Sequence, residues 1–128
     1  MSDLIRLYSY WRSSAAFRVR IALNLKGLAY DYLAVNLVEG GGQQHASAFH
    51  KLNPQELVPV LVDGERVIRQ SMSIIEYLAE VYHGTGVALL PPTTRERARV
   101  RSIAQAVACD IHPLNNTRVL GYLGEQFA

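Results

Sequence analysis

Cysteine is nearly absent from this chain. Cys109 stands alone among 128 residues, which rules out an intramolecular disulfide and fits a reducing compartment. Long apolar runs are missing as well, none approaching the ~20 residues that a membrane-spanning helix requires. Residues 1–7 carry neither the basic region nor the apolar core of a secretory leader, so the cytoplasm is the expected location. Charge of one sign is not in excess. Thirteen basic against eleven acidic side chains leave a net +2, too little to argue for nucleic acid or a membrane surface as partner. The arginines outnumber the lysines but are scattered. No repeat or long low-complexity tract occurs, Gly40-Gly41-Gly42 being a short flexible loop. His45, His50 and His83 have no metal-ligand spacing, and no metal is expected.

What is present is the balance of a globular protein with a real core, 49% hydrophobic and 19% charged. Residues 4–9 alternate apolar and polar and predict a strand. Ser13 or Ser14 then caps a helix running to about Lys26, with Gly27 where a left-handed capping glycine belongs. Val19, Ala22, Leu23 and Lys26 share one face of it. Ala15, Arg18, Ile21 and Leu25 spread more widely and predict a helix covered on two sides. Residues 30–35 read as a second strand, parallel to the first through a right-handed crossover. A short helix over 45–52 ends at Asn53-Pro54. Strands over 58–62 and 66–68 flank the hairpin signal Asp63-Gly64. Ser71 starts a helix with Ile74, Ile75, Leu78 and Tyr82 inward. The order βαβ, α, ββα is that of an α/β thioredoxin-like domain over residues 1–83. A linker is expected over 84–92, rich in glycine and proline. Residues 93–128 then begin an all-helical domain. Thr93 and Glu96 offer a capping box, a stripe runs from Val100 through Ile103 and Val107 to Ile111, and Pro113 is expected to kink or interrupt the helix. That stripe cannot be buried by one helix, and the chain is expected to be part of a longer protein.

Three stretches can carry chemistry. Ser13-Ser14 lies between a strand and a helix N-terminus, where free N–H groups and the positive dipole end stabilise an anion; on residue terms alone, either serine is equally a simple cap. Val58-Pro59 is a candidate cis peptide in a tight turn, or a trans proline that opens a strand. Gln70-Ser71 sits at a second strand-to-helix junction. Gln44 reads as a loop glutamine, Arg12 and Arg118 as surface arginines, and His112, beside Pro113, as a kink residue.

Taken together, Tyr8 to Gly27, Asn53 to Leu61 and Gln70 to Leu78 resemble the glutathione-binding half of a glutathione transferase. The first stretch narrows the likeness to the zeta class, the maleylacetoacetate and maleylpyruvate isomerases. The resemblance implies glutathione as cofactor and a small dicarboxylic cis-ene-dione as substrate. It also implies a homodimer when the protein is complete. It makes Ser13 and Ser14 the catalytic hydroxyls, the former at the thiolate. It assigns Ser13, Ser14, Ala15, Gln44, Val58, Gln70, Ser71, His112 and Asn116 to glutathione, with backbone pairing at Val58 and the γ-glutamyl carboxylate at Gln70-Ser71. Arg12 and Arg118 fall to the substrate carboxylates. Many zeta enzymes read Ser-Ser-Cys-Ser-Trp where this chain reads Ser13-Ser14-Ala15-Ala16-Phe17, so the family cysteine is replaced by Ala15. Two rival expectations stand beside the isomerase: a glutathione-conjugating transferase, and a non-catalytic binding module.

Overall fold

A computed structural model describes residues 4–127. Its contacts divide the chain into two compact units, Met1–Leu89 and Leu90–Ala128.

The first unit is built on a four-stranded mixed sheet. Strand β1 (Ile5–Ser9) buries Ile5, Leu7 and Ser9 by simple alternation. Helix α1 (Ser14–Lys26) follows, and its end is set by Gly27, at φ 65°. There Leu28 N–H donates back to the Leu23 carbonyl at 3.1 Å, the six-to-one bond of a Schellman stop. Strand β2 (Tyr30–Ala34) then pairs parallel to β1. Helix α2 (Ser47–Leu52) leads to the antiparallel hairpin β3 (Val60–Asp63) and β4 (Arg66–Arg69), and helix α3 (Ser71–Val81) closes the unit. The strand order is β2-β1-β3-β4.

Three layers result. One apolar cluster joins Ile5, Leu7 and Leu61 of the sheet to Val19, Ala22 and Leu23 of α1 and Ile74 and Leu78 of α3. A second, on the opposite side, joins Val60 and Val62 to Val35, Val58 and Phe49 of α2. Val60, Leu61 and Val62 are therefore all buried, as in a strand covered on both faces.

Several local details differ from the sequence expectation. Helix α2 starts at Ser47, because 43–45 form a separate 3₁₀ turn. Strand β3 starts at Val60, two residues late; the Val58–Pro59 peptide before it is cis, the first of the two sequence readings. The outer side of α1 is not covered: Phe17, Ile21 and Leu25 are 53%, 44% and 46% exposed. The stretch expected as linker is in part packed. Val87 N–H donates to the Leu25 carbonyl at 2.9 Å, the buried Lys26 Nζ donates to the Val87 carbonyl at 3.3 Å, and Leu89 packs on the α1–α3 core.

The second unit is helical. Thr93 caps α4 (Thr94–Gln105): its hydroxyl oxygen accepts from Glu96 N–H at 3.3 Å and its proton goes to the Glu96 carboxylate at 2.6 Å. The helix widens into a π-helical segment, Ala106–Ile111. It is interrupted by a 3₁₀ turn, His112–Asn115, that contains Pro113. Helix α5 (Thr117–Phe127) follows. Val100, Ile103, Val107 and Ile111 remain exposed.

Candidate functional site

Strand register gathers the expected residues of the first unit. Ser9 lies beside Ala34, Tyr8 opposite Val60, and Val60 opposite Arg69. The carboxyl ends of β1, β2 and β4 and the amino end of β3 thus share one end of the sheet. The Ser13 turn, the Gln44 loop, Val58-Pro59 and Gln70-Ser71 all extend from that end.

At the first of these, Ser13 is extended (φ −72°, ψ 113°) and its Oγ accepts from Ala16 N–H at 3.1 Å. A hydroxyl that accepts in this way keeps its own proton for another acceptor. Ser14 is the first helical residue and is exposed, while Ala15 is half-buried. The turn is braced by Arg20, which donates to the Trp11 carbonyl at 3.3 Å. Arg12 is exposed, its guanidinium 5.6 Å from the centre of the Trp11 ring, a cation–π distance.

The loop before Val58 is shaped by buried Asn53, whose amide donates to the Leu57 carbonyl at 2.8 Å and accepts from Gln55 N–H at 3.1 Å. Val58 itself is 8% exposed. Among the described residues neither its N–H nor its carbonyl has a backbone partner, as expected of a peptide edge available for strand addition.

At α3 the geometry is strained. Gln70 has φ 71° and ψ 122°, a region that side-chain-bearing residues rarely adopt. Its amide donates to Gln55 Oε1 at 2.8 Å. No side chain caps α3, so its first N–H groups have none of the protein acceptor that Ser13 gives α1. Ser71, 7% exposed, accepts from Arg18 Nη1 at 2.8 Å.

Gln44 is half-buried, and its Oε1 is enclosed without a partner among the described residues. Beside it lies a cluster that the sequence did not reveal. The Glu56 carboxylate meets His45 Nδ1 at 2.5 Å and His50 Nδ1 at 2.9 Å. Those two hydrogen bonds, with the imidazole charges behind them, hold Glu56 below its ordinary carboxylate value. The clasp ties the glycine loop to α2 and to the turn before Val58. Arg18 and Gln55 were also missed: Arg18 stood in the motif without a role, and nothing local announces a partner more than fifty residues away.

His112, Asn116 and Arg118 belong to the second unit. Asn116 Oδ1 accepts from Thr117 N–H at 2.7 Å, which turns its amide nitrogen towards His112 Nε2 at 2.8 Å. An amide nitrogen donates, so this contact is a hydrogen bond in the His112 tautomer whose Nε2 carries no proton. Arg118 is exposed on α5 and has its own interactions. Cys109 is exposed in the π-helical segment. Among the described residues no cluster of histidine, cysteine and carboxylate side chains could hold a metal ion. No helix there is long and apolar enough to cross a membrane.

Residues 7–86 match the family model of the glutathione S-transferase N-terminal domain. A probable maleylacetoacetate isomerase of Vibrio cholerae is 56% identical over 123 residues, covering 96% of this chain and 56% of that protein. Among solved structures, a holo maleylpyruvate isomerase described as a bacterial glutathione S-transferase of the zeta class aligns at 51% identity with a TM-score of 0.88. It covers 95% of this chain and 56% of its own. A maleylacetoacetate isomerase of Methylobacterium extorquens AM1, with bound malonate and glutathione, aligns with the same identity, score and coverage. The chain spans about half the length of the curated relatives it matches, 56% of the first.

Proposed function

The chain belongs to the glutathione S-transferase family, zeta class, and from that membership we propose that the protein is a glutathione-dependent cis–trans isomerase of maleylacetoacetate or maleylpyruvate. The observation that carries the reading is the gathering of the Ser13 turn, Val58 and Gln70-Ser71 at one end of the sheet.

Those residues fit the tripeptide in chemistry. The uncapped start of α3, with Ser71 polarised by Arg18, suits the γ-glutamyl carboxylate. Val58, with both backbone groups unpaired among the described residues, suits the cysteinyl backbone. Ser13 keeps a hydroxyl proton to donate at the positive end of α1, where a thiolate is stabilised. Gln44, in the glycine loop, would reach the tripeptide by turning its amide oxygen out of its enclosed position. When bound, glutathione would supply a thiol that adds reversibly to the cis double bond, so that the bond rotates before the thiol departs unchanged.

This chain's residues would do the rest. Ser13 holds the sulfur in its ionised form. Ser14, exposed at the first helical position, and Ala15 line the same turn. Ala15 stands where many zeta enzymes carry cysteine, so no protein thiol takes part at that turn. Arg12, exposed beside the Ser13 turn, would grip a substrate carboxylate by its fork geometry. The working form is a cytoplasmic homodimer of the full-length protein, consistent with the lone cysteine and the exposed apolar stripe of α4. The rate of trans-isomer formation by the full-length protein, with and without glutathione, tests the proposal.

A further inference from the structure

Arg18 is a strongly interacting group of the first unit that the proposed reaction leaves without a task. It lies on α1, one turn beyond Ser14, yet it donates through Nη1 to Ser71 Oγ at the head of α3, 2.8 Å away. Ser71 is 7% exposed, so water cannot freely satisfy that hydroxyl. A guanidinium has only donors, and a serine hydroxyl has a single proton with two acceptor lone pairs. The Arg18 contact therefore fixes the direction of the bond: Oγ accepts from Arg18, and the Ser71 proton must point to some other acceptor.

Two further facts say what kind of acceptor fits. The α3 N-terminus, at whose first helical position Ser71 stands, has no side-chain cap, so its free N–H groups favour an anion. The guanidinium adds a permanent positive charge behind the hydroxyl and makes it a stronger donor. We propose that Arg18 is a positioning residue of the carboxylate subsite: it holds Ser71 as an obligate donor and so raises affinity specifically for the γ-glutamyl carboxylate of glutathione. This rests on the reading of Gln70-Ser71 as that subsite. Arg18 has further interactions besides the bond to Ser71.

The test compares two ligands on the full-length protein by calorimetric titration: glutathione, and γ-aminobutyryl-cysteinyl-glycine, which is glutathione without that carboxylate. Wild type should bind glutathione more tightly than the analogue. Arg18→Met, which keeps the apolar stem, should weaken glutathione binding by about ten- to a hundredfold and change analogue binding by no more than about twofold. Arg18→Lys, closer to the native packing and still charged, should give a smaller loss with the same selectivity; it decides the matter if Arg18→Met does not fold. Ser71→Ala should remove most of the Arg18→Met effect in the double variant. An equal loss for both ligands in either Arg18 variant would overturn the inference and make Arg18 a purely structural link between α1 and α3. Wild type that binds glutathione no better than the analogue would overturn the carboxylate subsite. Wild type that binds neither would overturn the functional reading itself.

Discussion

Ser13 has two separable tasks, and substitution can pull them apart. Its oxygen accepts from Ala16 N–H at 3.1 Å, which is the work of a helix cap; its proton is left for the ionised sulfur of glutathione. Replacing it by alanine removes both. Loss of a serine cap costs about 1 kcal/mol, because one N–H of the first turn of α1 is left without its acceptor. Loss of a hydrogen bond to a charged group costs about 1.5–3 kcal/mol, which is roughly one to two pKa units on the bound thiol at about 1.4 kcal/mol per unit. Glycine distinguishes the two, since it is only a few tenths of a kcal/mol worse than serine as a cap but equally lacks the hydroxyl. In the full-length enzyme, Ser13→Gly and Ser13→Ala should therefore raise the bound thiol pKa by the same amount. Ser13→Ala should be the less stable of the two by about half a kcal/mol or more. Ser14→Ala should do little to either, because Ser14 makes no capping bond. The assay is ultraviolet titration of enzyme-bound thiolate, with denaturant melts alongside. An unchanged thiol pKa in both Ser13 variants would refute the assignment, and a shift confined to Ser14→Ala would move the role by one residue.

Three other outcomes follow from the geometry. Gln70→Gly should relieve the φ 71° backbone and leave folding stability equal or up to about 1 kcal/mol higher, while glutathione affinity falls; a clear loss of stability in denaturant melts would contradict this. Gly86→Ala should destabilise the first unit by roughly 2 kcal/mol or more, since at φ 59° a Cβ would stand 2.5 Å from the Lys26 backbone; an unchanged melting curve would be contrary. Tyr77 and Tyr82 donate to Asp63 at 2.8 and 2.7 Å. Burial first, and then the bond to Asp63, raises both hydroxyls, that of Tyr82 to about 12. A pKa raised on folding contributes stability that is complete below the unfolded value near 10 and is lost as pH climbs towards 12. Stability measured by denaturant should fall across that window, and the fall should be shallower in Tyr82→Phe.

The elements were legible where the signal is local. Alternation over Ile5–Ser9, the serine cap and glycine stop of α1, and the turn residues around Gly64 each report on their own neighbourhood, so strand, helix and hairpin follow from a few residues. The site was legible in part, through motif order: Ser13, Val58-Pro59 and Gln70-Ser71 stand at strand ends that the sheet register brings to one side. What escaped was non-local. Arg18 to Ser71, Glu56 between His45 and His50, and Asp63 between two tyrosines join residues that share no period and no spacing rule. The bare outer side of α1, with Phe17, Ile21 and Leu25, escaped for the opposite reason: apolar residues there predict burial, and the fold of the first unit leaves them exposed.

The most direct measurement follows absorbance and product identity for maleylpyruvate and maleylacetoacetate incubated with the full-length protein, with and without glutathione, while free glutathione is quantified. The account predicts conversion of at least one substrate to its trans isomer only when glutathione is present, with the glutathione recovered in full. Conversion without glutathione, no conversion of either substrate, or stoichiometric loss of glutathione into a stable conjugate would contradict it.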